Sequence, residues 1–194
     1  VNEGWLAEEL NLPGISSVAE DIEIARNLII QEEVKGHMHI AHLGSQRSVE
    51  LVRFFRERGV EFTCEVIPHQ FSRTEEIVLE KGVYAKVKPP FRGKEDMEGI
   101  RVGLRDHLID VIASDHCPYA DSVLKNGLTG TNLFGLAGFE TTLPLALDMV
   151  RLGYVDYSYI IKCLTINPAR IMRLHNRGTL SIGSDADINV IDPN

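Results

Sequence analysis

Apolar residues along this chain switch repeatedly between helical spacing and short β-compatible runs. Ile22, Ile24, Ala25, Leu28 and Ile29 follow a Ser17-x-x-Glu20 pattern, which predicts a helix over 18–33 opened by a capping box. Residues 38–43 read as a short strand, closed by Gly44-Ser45. Val49, Val52 and Phe55 then share one helical face that stops near Gly59. A strand over 60–66 ends before Pro68, and 83–87 reads as another, closed by Pro89-Pro90. Residues 94–104 predict a helix, weakened by Gly99 and Gly103. The run 109–115 reads as a buried strand ending in Asp115, and the glycine-rich stretch 116–138 carries little regular pattern. Helices are predicted over 141–152, 157–164 and 168–174, the last with Asn167 as N-cap and Pro168 at its first position. A final strand over 188–191 stands outside the main pattern.

Strand alternating with helix indicates parallel βα units. His42, His69 and Asp115 fall at the C-terminal ends of the strands, the catalytic rim of an α/β barrel. A closed (β/α)8 barrel needs roughly 250 residues, and this chain has 194. The expected fold is therefore a partial barrel.

Composition narrows the class. The chain is 44% hydrophobic and 25% charged, which is ordinary globular usage and excludes collagen-like and disordered chains. No apolar run approaches the roughly 18 residues of a membrane-spanning helix. A net charge of −8 argues against nucleic-acid binding, which would favour a basic patch. Cys64, Cys117 and Cys163 are odd in number and scattered, as expected in a reducing compartment, so the expected location is the cytoplasm. The start, Val1-Asn2-Glu3-Gly4-Trp5, shows no secretory pattern and no initiator methionine, and a fragment or processed product is expected.

The candidate chemistry is concentrated in few positions. Among the histidines His37, His39, His42, His69, His107, His116 and His175, His42 stands out because it ends a strand before a Gly-Ser turn that opens a helix. His37 and His39 read as strand-edge residues. His39 and His42 are three apart, so in a continuous strand they would not share a face, and no two-histidine clamp is expected. Asp115 follows an apolar strand; it either caps the next turn or is satisfied by a metal or a hydrogen-bond network.

The words along the chain resemble those of the dihydroorotases, a family of cyclic amidohydrolases. His39-Ile40-Ala41-His42-Leu43-Gly44-Ser45 with Ser48-Val49-Glu50-Leu51 is similar to a family segment. So are Glu65-Val66-Ile67-Pro68-His69, Lys88-Pro89-Pro90-Phe91-Arg92 and Asp110-Val111-Ile112-Ala113-Ser114-Asp115-His116-Cys117-Pro118. Gly138-Phe139-Glu140-Thr141, Asn167-Pro168-Ala169 and Gly183-Ser184-Asp185-Ala186-Asp187 continue the match in order. The resemblance implies a metal-dependent hydrolase of cyclic amides on an amidohydrolase-type (β/α)8 TIM barrel, with strands about six to eight and their helices present. It places the C-terminal part of that barrel in residues 1–177 and the beginning of a small flanking β-sandwich in 178–194.

By the same resemblance the centre holds binuclear zinc, with His42 and Asp115 as metal ligands. Asp115 is also the catalytic proton shuttle, taking a proton from the attacking water and giving it to the departing ring nitrogen. Lys88, Tyr119, Phe134 and Gly135 fall at substrate-binding positions. The family's first-strand histidine pair, its bridging lysine or aspartate and its fifth-strand histidine do not occur in this sequence, so the chain alone is expected to be inactive. Lys88 stands where asparagine is usual, and Tyr119 where histidine is usual. The words Asp115-His116-Cys117-Pro118-Tyr119 lie closer to those of hydantoinases and dihydropyrimidinases. Three readings follow: a dihydroorotase-like enzyme of pyrimidine biosynthesis; a hydantoinase, dihydropyrimidinase or allantoinase; or a non-catalytic homologue partnering aspartate transcarbamoylase. The expected partners are a small cyclic amide and either another copy or the missing barrel half, with no nucleic acid and no membrane.

Overall fold

A three-stranded parallel sheet, in the order β1-β2-β3, organises the computed structural model, which describes residues 1–125, 127–130 and 133–192. In chain order the elements begin with α1 (Trp5–Glu9), α2 (Ser17–Val34), β1 (His39–Ile40), α3 (Gln46–Glu57) and β2 (Thr63–Val66). Next come α4 (Pro68–Ser72), α5 (Ile77–Lys81), a 3-10 turn (Gly82–Ala85), α6 (Lys94–Arg105) and β3 (Val111–Ile112). The chain continues through α7 (Asp121–Leu124), α8 (Phe139–Arg151), α9 (Tyr157–Leu164) and α10 (Ile166–Ile171). The parallel βα reading thus holds.

The registers His39↔Thr63 and Glu65↔Val111 align the three C-terminal strand ends on one side of the molecule. Ile40, Cys64, Val66 and Ile112 point into the main core. There they meet Leu28 of α2, Val52 of α3, Ile100 and Leu104 of α6, Met149 of α8 and Ile160 of α9. Each fully buried aliphatic side chain contributes about 1.5–3 kcal/mol. His39, Thr63 and Glu65 lie on the opposite, more open face, because strand neighbours alternate sides. A second cluster, Leu6, Val78, Ala85, Val87 and Phe91, anchors the N-terminal segment. Arg92, buried, holds that segment through Asn2 Oδ1 at 2.8 Å and the Ile15 carbonyl.

Several local expectations change. Ser17 and Glu20 form no capping box: Ser16 is the N-cap, and Glu20 instead accepts from the Gly44 amide at 2.7 Å. A capping box does occur at Ser45 and Ser48, opening α3. The expected strand over 83–87 is absent, because a positive φ at Gly82 ends α5 and the chain winds tightly, Lys86 N donating to Val83 O at 3.1 Å. The strands expected over 38–43, 60–66 and 109–115 shorten to β1, β2 and β3. Gly99 and Gly103 do not weaken α6. A Cβ at Gly99 would lie 2.6 Å from Gln46 Cα, and one at Gly103 2.9 Å from Val49 Cγ1, so both let α6 pack closely on α3.

Asn167 is not an N-cap. Its side chain donates to Asp110 O at 2.9 Å, while Thr165 takes the cap position and α10 starts at Ile166. Pro168 is accommodated because first-turn amides lack intrahelical partners. Residues 188–191 form no strand; Val190 is almost fully exposed and has no neighbouring strand to pair with among the described residues. Pro193 and Asn194, the end of that segment, and Asn126, Thr131 and Asn132 of the 116–138 loop lie outside the described residues. No helix among the described residues is long and apolar enough to cross a membrane.

Candidate active site at the C-terminal end of the sheet

His42 and Asp115 each follow a strand, and each adopts a left-handed backbone conformation, with φ of 57° and 47°. For residues other than glycine this costs on the order of 1–3 kcal/mol and persists only where neighbours enforce it. The turn breaks the strand alternation after Ile40. As a result His39 and His42, three residues apart, converge on one carboxylate, contrary to the expectation that they would diverge. His39 Nε2 lies 3.1 Å from Glu65 Oε2, and His42 Nδ1 lies 3.0 Å from Glu65 Oε1. The His42 contact is close enough for an ion pair but is not aligned as a hydrogen bond.

With Nδ1 turned to Glu65, His42 Nε2 faces Asp115 Oδ1 at 4.0 Å. Despite the opposing cost of burial, the two imidazoles beside Glu65 hold its pKa down at about 2. Contact with Glu65 raises the His42 pKa, burial offsets part of the rise, and Asp115 adds to it. Glu65 is the residue that residue-level reading assigned no role. A carboxylate three residues before a strand-closing proline, on the face shared with Thr63, was the available signal.

His69 joins the rim differently. It sits in α4, buried, its ring 5.0 Å from that of Phe91, and Nε2 has no hydrogen-bond partner among the described residues. Burial, with the His42 charge nearby, lowers its pKa to about 3, so the ring is neutral.

The loops complete the rim. Lys88 is exposed, and the Pro89 after it packs over the turn following His42, 3.1 Å from where a Cβ on Gly44 would stand. Tyr119 Oη accepts from Cys117 Sγ at 3.1 Å and donates to Phe134 O at 3.3 Å. The Phe134 ring lies under Lys86 Nζ at 4.9 Å, and Gly135 N donates to Lys86 O at 2.9 Å. Gly135, at φ 153°, admits no Cβ, which would lie 2.5 Å from Cys117 O. Tyr119, Phe134 and Gly135 therefore form one hydrogen-bonded loop cluster, while Lys88 stands exposed beside Pro89.

Histidine nitrogen and carboxylate oxygen are both donors that zinc accepts, and His42 Nε2 faces Asp115 Oδ1 across 4.0 Å. The donor chemistry and the outward Nε2 fit two ligands of a metal. Among the described residues no group of three or more histidine, cysteine or carboxylate side chains gathers for a metal ion, so the pair is not a complete site.

Residues 6–194 match the family model described as the amidohydrolase family. The dihydroorotase of Acetivibrio thermocellus is 41% identical over 196 residues, a match spanning 100% of this chain and 45% of that protein. The dihydroorotase of Aquifex aeolicus is 40% identical over 194 residues, with the same coverage of 100% and 45%. The chain thus spans about half the length of the curated relatives it matches. Among solved structures, the L-hydantoinase (dihydropyrimidinase) from Arthrobacter aurescens superposes with a TM-score of 0.79 at 28% identity, over 86% of this chain and 38% of that one. The dihydropyrimidinase from Brevibacillus agri NCHU1002 gives a TM-score of 0.80 at 21% identity, over 87% and 38%, a likeness of fold alone.

Proposed function

From the premise that this chain belongs to the amidohydrolase family, we propose that it is the C-terminal part of a dihydroorotase-like enzyme that hydrolyses or closes a C–N bond in a cyclic amide. In this reading residues 1–177 carry strands six to eight of the barrel with their helices, and 178–194 begin a flanking β-sandwich. The observation that carries it is the Glu65–His42–Asp115 arrangement, in which a carboxylate turns one ring nitrogen inward and leaves the other facing an aspartate at 4.0 Å. Metal-binding histidines are commonly held this way.

His42 and Asp115 would hold zinc, with further ligands supplied by residues outside this 194-residue stretch. A bound metal would supply polarisation of the ring carbonyl and acidification of the attacking water. Asp115 takes the proton as the water adds to the carbonyl carbon, then delivers it to the ring nitrogen as the C–N bond breaks. Ring closure runs the same transfers backwards. Lys88 contributes a positive charge for an anionic substituent. Tyr119, Phe134 and Gly135 shape the wall of the substrate site from the loop cluster. The cytoplasm is the compartment that suits this chemistry and the free thiols of Cys64, Cys117 and Cys163.

Tyr119 favours a second reading, a hydantoinase or dihydropyrimidinase, because its hydroxyl is already engaged by Cys117 and Phe134 and offers little to a substrate carboxylate. Assaying the whole protein with dihydroorotate, hydantoin, dihydrouracil and allantoin separates the two. Turnover of dihydroorotate above the others is expected. Clear hydantoin turnover with none of dihydroorotate would overturn the first reading in favour of the second.

A further inference from the structure

His39 lies on the open face of the sheet, where its hydrogen-bond partners among the described residues are Thr63 and Glu65. Both of its ring nitrogens are engaged: Nδ1 is 2.8 Å from Thr63 Oγ1, its register partner on β2, and Nε2 is 3.1 Å from Glu65 Oε2. The other Glu65 oxygen is 3.0 Å from His42 Nδ1. We propose that His39, braced by Thr63, is a positioning residue that fixes the Glu65 carboxylate and through it the orientation and tautomer of His42. This rests on the reading of His42 and Asp115 as metal ligands.

The protons can be placed along the chain of contacts. An ionised carboxylate only accepts, so the protonated nitrogen of each imidazole is the one beside Glu65, through a hydrogen bond at His39 and through electrostatic attraction at His42, whose contact is not aligned as a hydrogen bond. His39 therefore carries its proton on Nε2 and receives one at Nδ1 from the Thr63 hydroxyl. His42 carries its proton on Nδ1, which leaves a lone pair on Nε2 facing Asp115. The two histidines are thereby held in opposite tautomers. Without His39, one Glu65 oxygen loses its donor and the carboxylate is free to rotate about its terminal torsion, which is a soft one. His42 then loses the contact that selects its tautomer.

Residue-specific nitrogen NMR on the whole protein, metal-free and alkaline enough that both rings are neutral, reads the tautomers directly. The expected result is Nε2–H at His39 and Nδ1–H at His42. Nε2–H at His42 in the unsubstituted protein overturns the proposal and needs no variant. His39→Leu should turn the single His42 tautomer into a mixture. His39→Gln, whose amide can still donate to Glu65, should restore it. A merely structural role for His39 predicts no such split between variants of equal foldedness, and an unchanged His42 pattern in His39→Leu also overturns the proposal. Should His39→Leu fail to fold, Thr63→Val serves in its place, with loss of the single His39 tautomer expected and its retention contradicting the bracing step. Zinc content of the whole protein tests the parent reading separately. If His42→Asn and Asp115→Asn leave it unchanged, the ligand assignment fails whatever the tautomers show.

Discussion

Burial keeps His69 neutral in the folded chain down to about pH 3, whereas an exposed histidine takes its proton near 6.5. Below 6.5 the unfolded chain therefore binds a proton that the folded chain refuses. The stability associated with neutral His69 is present above that point and is lost as pH falls toward 3, at up to about 1.4 kcal/mol per pH unit. His42, whose pKa is raised, acts in the opposite sense but does so in any variant that leaves it intact. Urea midpoints measured on either side of pH 6.5 should decline less in His69→Leu than in the parent chain; equal declines would contradict the assignment. At Glu65 the expectation concerns metal. Glu65→Gln should weaken zinc retention by the whole protein about 10–100-fold, the usual effect of removing a ligand's outer partner, and competition with a chelator measures it.

His42 and Asp115 were legible because a polar residue directly after an apolar strand is conspicuous. The contact of His42 with Glu65 was not, since the alternation rule assumes an extended chain and His42 turns left-handed instead.

Among elements, the α3–α6 pair shows where local propensity misleads. Glycines inside a helix lower its intrinsic stability by about 1 kcal/mol each, and on that ground 94–104 looked weak. Close approach outweighs propensity here, because Gly99 faces the Gln46 backbone with room for no added carbon. Gly99→Ala should therefore destabilise by about 1–3 kcal/mol, as overpacking does, despite its better propensity. Denaturant unfolding checks the sign, and a stabilised variant would show that the helices can part at little cost. The long helices were readable because apolar stripes at 3.6 spacing persist across several turns. The short strands and the 82–85 turn were not. Two-residue strands such as β1 and β3 contain too little pattern, and positive φ at Gly82 leaves its signature in backbone geometry alone.

At the scale of the molecule, β1 and β3 are the outer strands of a short parallel sheet, and each offers an edge that another strand can pair with. Leu180, Ile182 and Val190 are exposed nearby in the sequence that follows α10. If the chain is part of a barrel as proposed above, then in isolation it should self-associate or bind the rest of that barrel. Sedimentation checks this, and a stable, monodisperse monomer would contradict it. The family words run in order along all 194 residues, a stretch matching about half the length of the curated relatives, whereas composition alone suggested one self-sufficient domain.

In the proposed reading a cyclic amide reacts at the rim between His42 and Asp115. The most direct test is steady-state turnover of dihydroorotate by the whole protein with and without Asp115→Asn. Loss of the proton carrier predicts a fall in kcat of about 10²–10⁴-fold. Turnover within a few-fold of the unsubstituted protein would contradict it.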